Sequence, residues 1–92
     1  MTIMFTYSIF NSDISAWDTS KVTTMRNMFA NSEFNNNISK WNVSNVKDMS
    51  YMFASSKFNG DISNWKINKD CVRFNMFAYC TIKEEYKPKA IR

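Results

Sequence analysis

Residues 34–57 read FNNNISKWNVSNVKDMSYMFASSK, and the chain contains this 24-residue block almost three times. FNSDISAWDTSKVTTMRNMFANSE precedes it at 10–33, and FNGDISNWKINKDCVRFNMFAYCT follows at 58–81. The registers never slip: Phe10, Phe34 and Phe58 align, as do Ile14, Ile38 and Ile62, the tryptophans Trp17, Trp41 and Trp65, and the Met-Phe pairs at 28/29, 52/53 and 76/77. Met4 and Phe5 lie one period upstream and mark half a unit. Self-similarity at a period between about 20 and 50 residues implies units that bury their apolar faces only by stacking on neighbours. The 92 residues therefore read as a single repeat domain: a partial repeat at 1–9, full repeats at 10–33, 34–57 and 58–81, and a C-terminal cap with a basic tail at 82–92.

Within a unit the apolar spacing changes character. Ile38, Trp41 and Val43 fall at i, i+3 and i+5, with Trp41 and Val43 alternating with polar neighbours as a short strand requires. After Ser44 the spacing turns helical, with Val46, Met49, Met52 and Phe53 at i, i+3, i+6 and i+7. Ser20 and Ser44 are placed to cap such helices, and Asp48 suits a positive helix start. The expected fold is an α/β solenoid, a leucine-rich-repeat-like right-handed coil of short parallel strands and short helices. In the third repeat Asp70 and Arg73 replace the valine and methionine columns, and Cys71, Phe74, Phe77 and Ala78 offer a new apolar face. That pattern predicts a rotated terminal helix with an Asp70–Arg73 pair, and Ile82 in the column of Phe34 and Phe58.

I-x-x-W-x-V resembles the L-x-x-L-x-L core of leucine-rich repeats. The fuller F-N-x-D-I-S-x-W-x-V-S-x-V-x-x-M-x-x-M-F, over about residues 4–82, closely resembles the BspA-like repeats that occur in arrays in mycoplasma lipoproteins, other bacterial surface proteins and some viral genomes. The resemblance implies an interaction surface, commonly for extracellular adhesion or host-matrix binding.

Composition excludes most chemistry. There is no histidine, so the commonest general base and zinc ligand are missing, and no glycine-rich phosphate loop exists. No catalytic residue, metal ligand or cofactor is expected. Cys71 and Cys80 are the only thiols; nine helical residues would hold them about 13 Å apart, too far for a disulfide, so free buried thiols are expected. Asp13 and Asp61 recur in register with Asn37 between them, a tolerance that fits an Asx turn and not paired acid–base work. The recurrent Asn11, Asn35 and Asn59 are expected to form a ladder between stacked units. The methionine columns are expected to pack inward.

Discrimination then falls to positions that vary between repeats: Lys40, Asn42, Asn64 and Lys66 on the outward side of the strand, and Tyr51 and Arg73 on the helix. Residues 66–92 hold seven Lys/Arg against three Asp/Glu, so the whole net charge of +4 lies there. This basic end suits a solvated cap or an acidic protein partner better than nucleic acid. No stretch approaches about 18 apolar residues, so no membrane span is expected. MTIMFTYSIF lacks a signal peptide's regions, which predicts a cytoplasmic or virion-associated chain unless it is excised from a surface protein. Its apolar Ile3, Phe5 and Ile9 predict a homodimer through an uncovered N-terminal edge. The expected function is a non-catalytic protein-binding repeat module of the surface or adhesion type. The alternative is a free-standing intracellular binder, such as a virus- or phage-encoded inhibitor of a host protein; a virion assembly component ranks third.

Overall fold

The computed structural model describes residues 13–89; the N-terminal half-unit and the edge residues Ile3, Phe5 and Ile9 lie outside them. Among the described residues the strand–helix solenoid is absent. The only helix is a three-residue 3-10 turn, Glu84–Tyr86, and the only β contacts are isolated parallel bridges joining Thr24 to Asp48 and Asp48 to Val72. The leucine-rich-repeat-like fold expected from the spacing is therefore corrected: there is neither a sheet nor a ring of helices, and the units are built from turns.

The segments expected to be helical are runs of overlapping β-turns. Met28 donates its amide to the Met25 carbonyl and Ala30 to that of Asn27; Met52, Ala54 and Ser56 donate likewise to Met49, Tyr51 and Phe53. A left-handed residue recurs every fourth position, Asn27 and Asn31, then Tyr51 and Ser55, then Asn75 and Tyr79, with φ between 51° and 59°. Each one ends a turn before the i→i−4 ladder of a helix can propagate. The intervening amides point to the next unit. Met25, Asn27, Phe29 and Asn31 donate to Asp48, Ser50, Met52 and Ala54 at 2.8–3.0 Å, and Met49, Tyr51, Phe53 and Ser55 to Val72, Phe74, Met76 and Ala78 at 2.7–2.9 Å. Inter-unit bonds thus satisfy the donors that a helix would satisfy internally.

Short polar side chains hold the turns locally. Ser20 and Ser44 cap no helix: the amide and hydroxyl of each donate to Asp18 and Asn42 respectively, two residues back. Asp48 accepts from the Ser50 amide at 2.9 Å, and the Ser32 and Ser56 hydroxyls accept from Phe34 and Phe58. Such bonds compete with helix formation. The expected Asx turns are present, with Asp13, Asn37 and Asp61 each accepting the amide of the serine two residues on at 2.9–3.0 Å.

Because the turn runs also bring every third and fourth residue to one side, the helical spacing still marks the buried positions. Met25, Met28, Phe29, Val46, Met49, Met52 and Phe53 are fully buried in one cluster with Phe34, Phe58, Trp41 and Trp65. Identical rings stack between units: Phe29–Phe53 and Phe53–Phe77 at 5.6 Å, Phe34–Phe58 at 6.1 Å, Trp17–Trp41 at 6.5 Å. Each deeper indole is tied to the preceding unit, Trp41 Nε1 to the Ile14 carbonyl and Trp65 Nε1 to that of Ile38, both at 3.0 Å. The expected asparagine ladder is present at Asn35 and Asn59, and Asn11 lies outside the described residues. Asn35 Oδ1 accepts the Asn59 amide at 2.8 Å, and Asn59 Oδ1 accepts that of Lys83 at 2.9 Å.

The third unit departs from the expected cap. Its turn before the Met-Phe run spans 68–71, one residue later than the register of 43–46, which buries Cys71 where Val46 would lead to Asp70. No rotated helix forms, and Phe74 is 71% exposed. Arg73 turns to the Cys71 carbonyl at 3.4 Å and forms no ion pair with Asp70. Ile82 does enter the core.

Candidate functional site

The six residues singled out for binding divide into two groups. Asn42, Asn64 and Lys66 gather around one depression of about 250 Å³ between the second and third units, with Val43, Ser44 and the buried Trp41 and Trp65 completing its wall. Asn64 also borders a larger open cleft of about 450 Å³ lined by Asn35, Asn36, Asn37, Ser39, Asn59, Gly60 and Asp61. Lys40 is exposed on the residue before Trp41. Tyr51 and Arg73 belong to the turn runs instead. Arg26 lies over the Tyr51 ring at 5.6 Å and pairs with Asp48 at 3.4 Å, while the Tyr51 hydroxyl accepts from Asn75.

These partners limit what each side chain can offer. Both bonds from Ser44 fall on Asn42 Oδ1, at 3.1 and 2.7 Å, so Asn42 presents chiefly its amide donor. In the larger cleft Asn35, Asn37, Asn59 and Asp61 each commit one oxygen to a backbone amide. The face is therefore rich in side-chain amides, with one carboxylate and one cation, Asp61 and Lys66. That chemistry suits hydrogen bonding to a polar partner surface. The recurrence of Asn35 and Asn59 signals only the ladder, and Asn36 recurs nowhere; the triplet Asn35-Asn36-Asn37 is the available sequence signal for the cleft.

Gly60 shapes the floor of the cleft. A methyl group there would come within 2.7 Å of the Phe58 ring, which is packed against Phe53 at a 4.4 Å centroid distance. The equivalent position of the second unit is Asn36, which carries a side chain.

The basic end is partly consumed internally. Lys87 pairs with Glu84 at 3.1 Å and lies 5.4 Å over Phe77, and Lys83 lies 5.3 Å over Tyr86. Neither thiol is activated. Burial pushes both Cys71 and Cys80 upward from the ordinary thiol range, Cys71 against the pull of Arg73, and their Sγ atoms donate to the carbonyls of Val72 and Phe58. Both cysteines are free. Among the described residues no group of three or more acidic or cysteine side chains gathers as metal ligands would, and no helix is long and apolar enough to cross a membrane.

Neither the curated proteins nor the solved structures gave a match. Residues 1–87 match a family described as Mycoplasma protein of unknown function, DUF285, and the chain belongs to that family.

Proposed function

We propose that the chain is a non-catalytic module that binds a protein partner through the polar face between its second and third units, in the manner of the BspA-like surface and adhesion repeats. The observation that carries this reading is the meeting of Asn42, Asn64 and Lys66, three repeat-variable residues, around one open depression. The repeated columns are occupied elsewhere: phenylalanines and methionines fill the core, tryptophans bond to neighbouring units, and Asn35 and Asn59 hold the ladder. What remains outward differs from unit to unit, and such differences can distinguish partners. The Mycoplasma family supports a surface role, and Lys40 and Lys66 favour an acidic partner.

The test is binding of the labelled protein to host-cell surfaces and immobilised matrix proteins. Lys40→Glu combined with Lys66→Glu is expected to weaken binding about tenfold or more with an unchanged thermal melt. Cys71→Ser with Cys80→Ser should leave binding intact. Wild-type protein that binds no such surface, or a charge-reversed protein that binds as well as wild type, would remove the proposal.

A further inference from the structure

The sequence holds a single glycine, and it follows an asparagine, Asn59-Gly60. The side-chain amide carbon of an asparagine lies within reach of the next backbone nitrogen, and a glycine there has no Cβ to crowd the approach. Asn35, in the same ladder column, is followed by Asn36, whose side chain stands in that approach; Asn37, Asn42 and Asn64 are followed by Ile38, Val43 and Trp65. Packing favours glycine at 60, since a Cβ would come within 2.7 Å of the buried Phe58 ring.

The ladder also prepares the groups that would react. Asn59 Oδ1 accepts the Lys83 amide at 2.9 Å, so the oxygen that gains negative charge when Cγ is attacked already faces a backbone donor. Among the described residues, the Asn59 side-chain nitrogen, which would leave, and the Gly60 amide, which would attack, meet no hydrogen-bond partner. Both residues are half-buried and line the open cleft of about 450 Å³, where water can reach them.

We propose that Asn59-Gly60 is a self-modification site, converting to aspartate and isoaspartate in the folded protein. A solvent base takes the Gly60 amide proton and the nitrogen bonds to Asn59 Cγ. The Cγ–Nδ2 bond then breaks, ammonia leaves with a proton from water, and a cyclic imide is left. Water adds to one of its two carbonyl carbons, and the bond from that carbon to nitrogen breaks. Opening at Cγ gives aspartate; opening at the former main-chain carbonyl gives isoaspartate. The net change is one water consumed and one ammonia released, with no oxidation or reduction. Aspartate keeps an oxygen for the Lys83 amide, whereas isoaspartate runs the main chain through Cγ and withdraws that carbonyl from the ladder. Either product adds a carboxylate to the cleft that holds Asp61 and lowers the net charge of +4 by one.

The test holds the full chain at mildly alkaline pH below its melting temperature. Released ammonia and the acidic charge variant are followed with time, peptide mapping locates the conversion, and isoaspartyl methyltransferase labelling detects the isomer. Conversion is expected at Asn59 about tenfold or more faster than at Asn35, and at least as fast in the native chain as in one unfolded in guanidinium. Lys83→Pro removes the donor at a backbone φ of −65°, which proline adopts, and should slow the conversion severalfold. A native chain that keeps Asn59 intact, converts Asn35 at the same rate, or is protected relative to the unfolded chain would overturn the proposal. A folded Lys83→Pro protein that converts at the wild-type rate would overturn it as well. If Lys83→Pro fails to fold, the comparison of native with unfolded wild type decides.

Discussion

Tyr79 holds a backbone φ of 57° with its side chain 92% exposed, a combination that costs conformational energy and returns little contact. L-residues other than asparagine and glycine enter the left-handed region at a cost of about 1–2 kcal/mol, because Cβ crowds the following carbonyl. Among the described residues, asparagine fills three of the six left-handed positions, Asn27, Asn31 and Asn75, and tyrosine or serine fills Tyr51, Ser55 and Tyr79. Tyr79→Asn is accordingly expected to stabilise by about 1 kcal/mol, raising the melting temperature by about 4–8 °C. Tyr51→Asn should gain less, since it gives up the contact with Arg26 and the hydrogen bond from Asn75. Thermal melts of the two variants side by side decide the matter; a lower melting temperature for Tyr79→Asn would show that the tyrosine has a packing role.

At the scale of the element, the turn is the unit of construction, and many turns are closed by a carboxylate or amide oxygen. Hydrogen bonds hold three of these carboxyls below the usual aspartate range. The Ser15 amide acts on Asp13 and the Ser20 hydroxyl on Asp18; at Asp48 burial pushes upward, but the Ser50 amide and hydroxyl together with Arg26 outweigh it. A depressed folded-state pKa contributes stability that is present above the unfolded pKa and is lost as pH falls through the folded one. The melting temperature should therefore be nearly flat down to about pH 5 and fall below about pH 4. Asn37 and Asn42 close the equivalent turns of the second unit as neutral amides. Asp13→Asn with Asp18→Asn should consequently shallow the acid limb without lowering stability at neutral pH, and an unchanged limb would exclude these two carboxyls as its source. The same turns show why helical spacing does not produce a helix here. Met49, Met52 and Phe53 are buried as a helical face would be, so periodicity identified the inward side correctly. It is silent on backbone hydrogen bonding, and here the donors were claimed by the next unit and by Asp48, Ser32 and Ser56.

Across the whole molecule, what was legible in the sequence is what repeats. The Phe, Met and Trp columns and the Asn35–Asn59 ladder follow from register alone, because stacked identical positions must meet. The proposed binding face was legible only in part. Asn64 and Lys66 were identified as variable and outward, but their convergence with Asn42, and the cleft formed by Asn35 to Asn37, Gly60 and Asp61, depend on how far the turns project. Position along the stack also sets the energetic weight of each tryptophan. Trp41 is nearly fully buried, bonded to the Ile14 carbonyl, stacked on Trp17 and tilted against Phe29 at 6.2 Å, whereas Trp17 is 39% exposed on the first described unit. Trp41→Ala removes a buried ring and leaves the Ile14 carbonyl without its donor, so a loss of about 3–5 kcal/mol is expected, a large share of a domain this size. Trp17→Ala loses a half-exposed ring and should cost about half as much or less. Denaturant titration of both variants reads the difference directly. Equal losses would mean that the tryptophan column is stabilised by stacking alone and not by its depth in the core.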